Sequence, residues 1–266
     1  MEEASHPITL SIIIPAYNEA RRLPESLRRV RAWLEAQPYS AEVIVVDDGS
    51  NDDTADVARA ATRDWPALSL RTTPHGGKGA AVRAGALAAQ GEWVAFADAD
   101  FSMPVSELER LRAAAAETGG LAIASREAPG ARRLGEPWYR HVMGRVFNRF
   151  VQTLILPGIQ DTQCGFKCMP RAIAVALCSQ QTINGWGFDV ELLAIARRHA
   201  FPIHEAPIPW YYMANSRVRL ARDTFTMVRE VFAIRANLRS GRYDLPAVTV
   251  GPMSGQALEA RNIHAH

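Results

Sequence analysis

Residues 10–19 read Leu-Ser-Ile-Ile-Ile-Pro-Ala-Tyr-Asn-Glu, an apolar, β-branched run that ends abruptly in polar side chains. A run of this kind, followed by an amphipathic stretch, predicts a buried strand of a parallel sheet with a crossover helix after it. The same alternation recurs to residue 125. Strands are predicted over residues 10–14, 42–47, 69–72, 93–97 and 121–124, and helices near residues 19–36, 53–61, 80–89 and 105–116. We therefore predict an open α/β layer, which binds ligands beyond the carboxyl ends of its strands.

Length and composition restrict the class of protein. The chain has 266 residues, 48% hydrophobic and 22% charged, which is enough apolar mass for a globular core. A formal net charge of +2 excludes a polyanion binder that works through bulk charge, and we expect no nucleic-acid partner. All basic residues except Lys78 and Lys167 are arginine, which suits phosphate contacts or reflects genomic base composition.

Three features bear on cellular location. The 3 cysteines are odd in number and lack C-x-x-C spacing, which indicates reduced thiols in a cytosolic protein. Met1 is followed by two glutamates, so no secretory signal is predicted. Residues 142–159 are the best candidate for a membrane span, but Arg145 and Arg149 interrupt them. We expect a cytoplasmic protein.

The second half of the chain is more basic and more amphipathic. Arginine and aromatic residues are interleaved over residues 138–150, and on a helix Phe147, Val151 and Leu154 share a face. A similar segment runs over residues 220–238. Both patterns are typical of amphipathic helices at a membrane interface, or of ordinary helices that face the core.

Carboxylates follow two of the predicted strands. Asp98 and Asp100 are two residues apart at a strand terminus, where the period of a strand sends both side chains the same way. Such a pair can hold Mg²⁺ or Mn²⁺ together with substrate phosphates. A solvated turn is the alternative, because an Asp-x-Asp pair alone is common.

The ends of the first two strands suggest a nucleobase site. Tyr17 offers a stacking face and a hydroxyl, and Asp47 or Asp48 could accept a hydrogen bond from the N–H of uracil or guanine. Helix capping by Asn18 or Ser50 is the alternative, but it leaves Tyr17 and the two aspartates unexplained.

A glycine-rich loop precedes the third predicted helix. The backbone N–H groups of residues 76–79 and the ammonium of Lys78 could meet an anion. The loop is not a Walker A motif, since Thr72 and Gly79 stand where that motif requires Gly and Ser or Thr. No G-x-G-x-x-G follows the first strand either, so a P-loop ATPase and a dinucleotide oxidoreductase are both disfavoured.

Taken in order, the motifs at residues 11–19, 45–50, 77–79 and 98–100 resemble those of family 2 glycosyltransferases, which use nucleotide-diphosphate sugars. The resemblance implies the GT-A fold, an α/β class with a Rossmann-like, mostly parallel central sheet flanked by helices. It also implies a metal site for Mg²⁺ or Mn²⁺ at Asp98 and Asp100. The donor site would comprise Pro15, Ala16, Tyr17, Glu19, Asp47, Asp48, Lys78, Asp98, Ala99 and Arg217.

The second half narrows the resemblance to polyprenyl-phosphate hexosyltransferases, and to the dolichyl-phosphate β-glucosyltransferase type more than to dolichol-phosphate mannose synthases. Residues 161–167, 187–193 and 216–218 carry it. It implies catalytic roles for Asp161, Asp189 and Glu191, and an acceptor-phosphate site at Arg126, Arg140 and Ser216. Mannose synthases tend to show a glutamine soon after the Asp-x-Asp pair, whereas this chain has Ser102, which leaves metal geometry and donor identity open.

The function implied by the resemblance is a single inverting transfer of a hexose, with glucose favoured, to a polyprenyl or dolichyl phosphate. The protein would act at the cytosolic face of a membrane, either peripherally or with a separate membrane-anchored partner. A soluble family 2 enzyme with a small hydroxyl acceptor and a GDP-mannose-dependent mannosyltransferase are the alternatives. A silent nucleotide-sugar binding module is disfavoured by the joint presence of Asp100 and Asp161.

The domain organisation follows from the same resemblance. We predict a single domain over residues 1–240, with a nucleotide-sugar half at 1–125 and an acceptor half at 126–240. Residues 241–266 are rich in Gly, Pro and Ser, which predicts a flexible tail.

Overall fold

The structure is a computed structural model that describes residues 7–212 and 220–244. Its strands are β1 (Leu10–Ala16), β2 (Ala41–Asp47), β3 (Leu68–Thr72), β4 (Trp93–Phe96), β5 (Leu121–Ser125), β6 (Arg132–Leu134), β7 (Lys167–Pro170), β8 (Ile203–Pro207) and β9 (Pro209–Tyr211). Its helices are α1 (Leu23–Glu35), α2 (Thr54–Asp64), α3 (Lys78–Ala88), α4 (Glu107–Thr118), α5 (Trp138–Leu154), α6 (Arg171–Gln180), α7 (Phe188–Arg198) and α8 (Leu220–Arg239).

Seven strands form the central sheet, in the order β3-β2-β1-β4-β7-β5-β8. All of its pairings are parallel except those of β7, which runs antiparallel to both β4 and β5. The short strands β6 and β9 form a separate parallel pair. Because β7 and β8 come from the second half of the chain, the two halves share one sheet.

The five predicted strands and four predicted helices of the first half are confirmed, with shifted ends. Helix α1 begins at Leu23, four residues later than predicted, with Pro24 in its first turn. Proline suits that position because the first helical N–H groups have no partner within the helix.

The core lies on both faces of the sheet. Ile13, Ile44 and Val46 belong to one apolar cluster, and Ile12 and Val45 belong to the other. Adjacent residues of one strand point to opposite faces, so a continuous apolar run is buried only where helices cover both faces. The carboxyl ends of β1, β2 and β4 are thereby fixed at a common edge.

Residues 241–244, the first four of the predicted tail, lie within the described part of the chain. Tyr243 is buried and donates a hydrogen bond of 2.6 Å to Glu191, and the Asp244 carboxylate pairs with Arg198. Residues 241–244 therefore pack on the body of the protein, because the apolar ring of Tyr243 enters the core. Residues 245–266 lie outside the described residues.

The two predicted amphipathic segments are helical, as α5 and α8. In the described ranges, no helix is long and apolar enough to cross a membrane.

Candidate active site

A cavity of about 1010 Å³ opens at the carboxyl ends of β1, β2 and β4 and continues to α5. Its acidic wall includes Asp48, Asp98 and Asp100, and its basic wall includes Arg126 and Arg140. The predicted donor residues Pro15, Ala16, Tyr17, Glu19, Lys78 and Ala99 also line it. The fold thus brings residues that are distant in sequence to one enclosed space.

Asp98 and Asp100 follow β4, which ends at Phe96, and both line the cavity. The two carboxylates are close enough for the charge of Asp98 to act on Asp100. The Lys78 ammonium is 2.5 Å from Asp98 Oδ1, and its charge is therefore close to the carboxylate pair. Burial alone would lower the pKa of Lys78, but the charge of Asp98 raises it overall, so the lysine stays protonated.

Gly165 makes room for the Asp98 carboxylate. A Cβ at this position would overlap the carboxylate carbon and both oxygens, so the backbone of the 161–166 loop approaches Asp98 as only glycine allows. Gly165 contributes no functional group, and its importance is visible only once the two segments are seen together.

The surroundings of Asp100 destabilise the ionised form of its carboxyl group. Burial and the adjacent Asp98 carboxylate raise the pKa of Asp100 above its ordinary value, although the N–H and hydroxyl of Ser102 each donate a 3.1 Å hydrogen bond to Oδ1. Phe101, with φ of 42°, turns the backbone so that both groups of Ser102 reach the same oxygen. A cation between the two carboxylates would relieve their repulsion.

The acidic pair fits a divalent ion that shares its coordination with a substrate. Among the residues the structure describes, no cluster of three or more Cys, His, Asp or Glu side chains is arranged to hold a metal ion. Two carboxylates with phosphate oxygens and water in the remaining positions is, however, the usual donor set for Mg²⁺. The residues present therefore fit such an ion only together with a phosphorylated ligand.

Tyr17 and Asp48 meet at the predicted base site, but a third residue contacts both. The His75 ring stacks on the Tyr17 ring with centroids 4.2 Å apart and an angle of 19°. His75 Nδ1 lies 2.9 Å from Asp48 Oδ2, and Asp48 also accepts hydrogen bonds of 2.8 and 2.9 Å from the N–H groups of Gly76 and Gly77. Asp48 thus anchors the glycine-rich loop.

Two other predicted donor residues make contacts within the protein. Asp47 is not among the residues that line the cavity. It is buried and accepts a 3.3 Å hydrogen bond from the Ser50 N–H, so its carboxylate holds the turn after β2. Glu19 lines the cavity and binds Arg22 through both oxygens, at 2.5 and 2.6 Å.

Asp161 and Arg126 bind each other. The guanidinium donates to the two carboxylate oxygens at 2.7 and 2.8 Å, and the Arg126 N–H adds a bond of 2.9 Å. Burial alone would raise the pKa of Asp161, but the charge and hydrogen bonds of Arg126 lower it to about 2. The Asp161 carboxylate is therefore held in its ionised form against Arg126.

Asp189 reaches the cavity, whereas Glu191 does not. Asp189 forms a buried pair with Lys167, and burial raises its pKa despite the nearby charges of Lys167 and Lys78. Glu191 accepts hydrogen bonds from Thr182, Ile183 and Tyr243 in the core. The structure therefore places Glu191, in the first turn of α7, in the core and not among the residues that line the cavity.

Among the arginines that the structure describes in the cavity wall, Arg140 is the one without an acidic partner. Its guanidinium lies over the Tyr212 ring at 5.5 Å, and within the described part of the chain its buried Nε has no hydrogen-bond partner. Its neighbour Arg133, by contrast, pairs with Glu127 and Glu136. The predicted residues Ser216 and Arg217 lie outside the described residues.

Some residues of the site could not be recognised in the sequence. His75, Arg22, Trp186 and Gly165 carry no separate signal, although Gly165 belongs to a motif that marked its segment. The Lys78 ammonium lies 5.6 Å from the Trp186 ring centroid, a contact that joins residues 108 positions apart. Only the assembled fold shows such pairs.

An exposed apolar patch lies on the outer side of α5 and α8. Its members are large apolar side chains that face solvent: Trp138, Val142 and Val146 on α5, and Phe225 and Phe232 on α8. Phe150 contacts Phe232 at a centroid distance of 5.8 Å, which joins the two helices. Met143 and Phe147 of α5 and Met227 of α8 line the cavity, so the patch adjoins it.

Comparison with known proteins identifies relatives over most of the chain. A Drosophila melanogaster protein named dolichyl-phosphate beta-glucosyltransferase is 32% identical over 265 residues, covering 92% of this chain and 80% of its own. The human protein of that name is 31% identical over 255 residues, with coverages of 89% and 78%.

Solved structures share the fold. Glucosyl-3-phosphoglycerate synthase from M. tuberculosis has a TM-score of 0.62 and 22% identity, and the match covers 92% of this chain and 84% of that one. Mannosyl-3-phosphoglycerate synthase from Rubrobacter xylanophilus has a TM-score of 0.62 and 19% identity, with coverages of 92% and 79%. The predicted GT-A fold is thereby confirmed.

The family model for Glycosyl transferase family 2 matches residues 11–176. With these relatives and this site, the chain belongs to glycosyl transferase family 2 and is a glycosyltransferase.

Proposed function

We propose that this glycosyltransferase moves a glucosyl group from a nucleoside-diphosphate glucose to a polyprenyl phosphate of the dolichyl type. One observation carries the proposal: a single cavity joins the acidic strand ends to a basic wall on α5, beside an exposed apolar patch. The names of the relatives from Drosophila melanogaster and human support the same donor sugar and acceptor.

The donor is proposed to bind at the acidic end of the cavity. Tyr17, Asp48 and the backbone of residues 15–16 would surround the base, with Glu19 and Ala99 beside the ribose. Lys78 would face the diphosphate, because its ammonium lies beside Asp98 and both residues line the cavity. Arg217, which lies outside the described residues, stays a proposed diphosphate contact on the family resemblance.

Asp98 and Asp100 are proposed to hold Mg²⁺ or Mn²⁺ together with the donor diphosphate. The repulsion that raises the pKa of Asp100 supports this, as does the glucosyl-3-phosphoglycerate synthase structure solved with Mn²⁺ and UDP. When bound, the ion would neutralise charge on the departing nucleoside diphosphate. Ser102 would hold Asp100 in place through its two hydrogen bonds.

The acceptor phosphate is proposed to bind at Arg140, whose charge no carboxylate of the described residues neutralises. Arg126 would face the same phosphate while Asp161 fixes its orientation. Ser216 stays a proposed contact from the resemblance. The phosphate is already anionic, so its oxygen can attack the sugar C1 without a base. The C1–O bond breaks as the new bond forms, and the diphosphate leaves with the electron pair.

The exposed apolar patch is proposed to seat the protein on a membrane at its cytosolic face. Arg149 and Arg229 are exposed on the same two helices, where they would meet anionic headgroups. A lipid phosphate could then pass from the bilayer surface past Met143 and Met227 to Arg140. In this proposal residues 1–125 bind the donor and residues 126–240 bind the acceptor, within one domain.

A product assay tests the proposal. The purified protein would be incubated with Mn²⁺, radiolabelled UDP-glucose and vesicles that contain dolichyl phosphate. We expect label in the organic extract, identified by mass spectrometry as dolichyl-phosphate glucose. Parallel reactions would contain GDP-mannose as donor or 3-phosphoglycerate as acceptor. Exclusive transfer to 3-phosphoglycerate, with none to the lipid, would contradict the proposal in favour of a small hydroxyl acceptor.

A further inference from the structure

We propose that the His75 imidazole occupies the nucleobase position of the donor site and must leave it before a nucleoside-diphosphate sugar binds. The inference rests on the proposed function, because it concerns the same donor site. It adds a self-inhibitory contact that lowers the apparent affinity of the enzyme for its donor.

The imidazole makes both contacts that a base is expected to make there. Its ring stacks on Tyr17 at a centroid distance of 4.2 Å, nearly parallel at 19°. Its Nδ1 lies 2.9 Å from Asp48 Oδ2, the kind of acceptor that a ring N–H of uracil or guanine requires. An aromatic ring with an N–H on its edge thus already fills a site suited to such a ring.

The stacking distance leaves no space for a second ring between the two. A separation of 4.2 Å corresponds to direct contact of two aromatic faces. A base can use this face of Tyr17, or the hydrogen bond to Asp48, only if the imidazole moves away.

The His75 side chain can move without disturbing the fold. It is 55% exposed, and its ring contacts Tyr17 and two oxygens of Asp48: Nδ1 lies 2.9 Å from Oδ2 and 3.0 Å from the backbone carbonyl oxygen. The backbone around it is held independently, by the hydrogen bonds from the Gly76 and Gly77 N–H groups to the Asp48 carboxylate. Rotation about the side-chain bonds of His75 would therefore open the base site while the loop stays in place.

The proposal predicts whether removal of the His75 ring strengthens or weakens nucleotide binding. When only a fraction of the molecules has an open site, the apparent Kd exceeds the intrinsic Kd by the inverse of that fraction. Removing the imidazole by His75→Ala leaves the site always open and should tighten nucleotide binding about threefold to tenfold. If His75 instead contacts the base with its outer face, the same substitution should weaken binding.

Calorimetry with UDP, and with GDP in a parallel titration, would measure this in the presence of Mg²⁺. The variants are the unaltered protein, His75→Ala, and His204→Ala as a matched control at an exposed position on β8. We expect tighter binding for His75→Ala alone. Equal or weaker binding by His75→Ala, beside normal binding by the unaltered protein, would overturn the inference and leave the proposed function standing. If neither the unaltered protein nor His75→Ala binds UDP or GDP, the proposed function itself fails.

Proton NMR of the His75 ring gives a second, independent readout. The Tyr17 ring current should shift the imidazole C–H resonances of the free protein, and saturation with UDP should remove that shift. A ring-current shift that persists in the UDP complex would show that His75 stays stacked, and would contradict the inference.

Discussion

The carboxylates around the cavity differ in what neutralises them. Asp161 is bound by Arg126, Asp189 by Lys167, and Asp98 by Lys78. Within the described residues, Asp100 has a longer ion pair, with the Arg22 guanidinium at 3.8 Å, and hydrogen bonds from Ser102. The ion pairs of Asp98, Asp161 and Asp189 stabilise the folded site. The negative charge of Asp100 is less completely neutralised, so it could bind a cation.

Substitution of Asp100 should therefore affect transfer far more than stability. For Asp100→Asn we expect the metal-dependent rate to fall about 100-fold or more, because several kcal/mol of charge stabilisation would be lost. The thermal unfolding temperature should stay near that of the unaltered protein, since the substitution removes repulsion with Asp98. Initial rates at saturating Mn²⁺ would measure the effect, and full retained activity would refute the assignment of Asp100 as a metal ligand.

Arg140 should determine how tightly the acceptor binds. Arg140→Ala is expected to raise the KM for the lipid phosphate about tenfold or more, because a charge-assisted hydrogen bond contributes about 1.5–3 kcal/mol. The KM for the donor should change little. Arg149→Ala, an exposed arginine on the same helix, is the matched control when both variants are assayed with a short-chain, water-soluble polyprenyl phosphate. Equal effects of the two substitutions would indicate that general positive charge on α5, and not Arg140 itself, attracts the acceptor.

The Asp161–Arg126 pair should appear in the dependence of stability on pH. Asp161→Asn leaves the part-buried Arg126 guanidinium without its carboxylate, so we expect a loss of about 1.5–3 kcal/mol at pH 7. The pKa of Asp161 is lowered from 3.8 to about 2, so the pair stabilises fully above its unfolded-state pKa and loses its effect as pH falls from 3.8 towards 2. Urea unfolding at pH 7, 5 and 4 would show a constant difference between the two proteins that narrows only below about pH 4. A difference that narrows between pH 7 and 5 would contradict this account.

At the scale of the element, the sequence predicts the strands that are buried on both faces. Strand β1 is recognisable because its apolar run is long and ends in Pro15. Strand β7 is only four residues long, and its antiparallel place between β4 and β5 depends on pairings with segments far away in the chain. No local pattern encodes those pairings, so it could not be predicted.

Some residues of the candidate site could likewise be placed from the sequence, and others could not. Asp98, Asp100 and Lys78 could be placed at one edge because parallel strands end there together. The partners Lys167 and Asp189 could not be paired, since their contact depends on how α7 packs beside β7. The stacking of His75 on Tyr17 likewise depends on the path of the loop after β3.

The exposed apolar patch includes side chains of both α5 and α8. A glutamate at Val146, in Val146→Glu, should weaken binding to anionic vesicles about tenfold, because it removes buried apolar area and adds repulsion. Leu87→Glu, an exposed apolar position on α3, is the matched control. Vesicle flotation would measure binding. Activity on a short-chain, water-soluble polyprenyl phosphate should remain for both variants, and loss of that activity in Val146→Glu would show that Val146 supports catalysis in another way.

At the scale of the whole molecule, one sheet connects the first and second halves of the chain. Strands β7 and β8 of the second half pair with β4 and β5 of the first. The cavity wall therefore combines segments that are fixed to the same sheet. This keeps Gly165 close to the Asp98 carboxylate. Binding at the donor end should consequently stabilise the entire fold and not one half of it.

Thermal unfolding measured with different nucleotide sugars would test which of them is the donor. A ligand at 100 times its Kd stabilises the folded state by about 2.7 kcal/mol, which corresponds to about 5–10 °C for a chain of this size. With Mn²⁺ present, we expect a single transition that UDP-glucose shifts more than UDP-galactose or GDP-mannose does. Asp100→Asn should lose most of the shift, because the diphosphate would bind without its cation. A larger shift with GDP-mannose would overturn the glucose assignment, and two separate transitions would contradict the single domain.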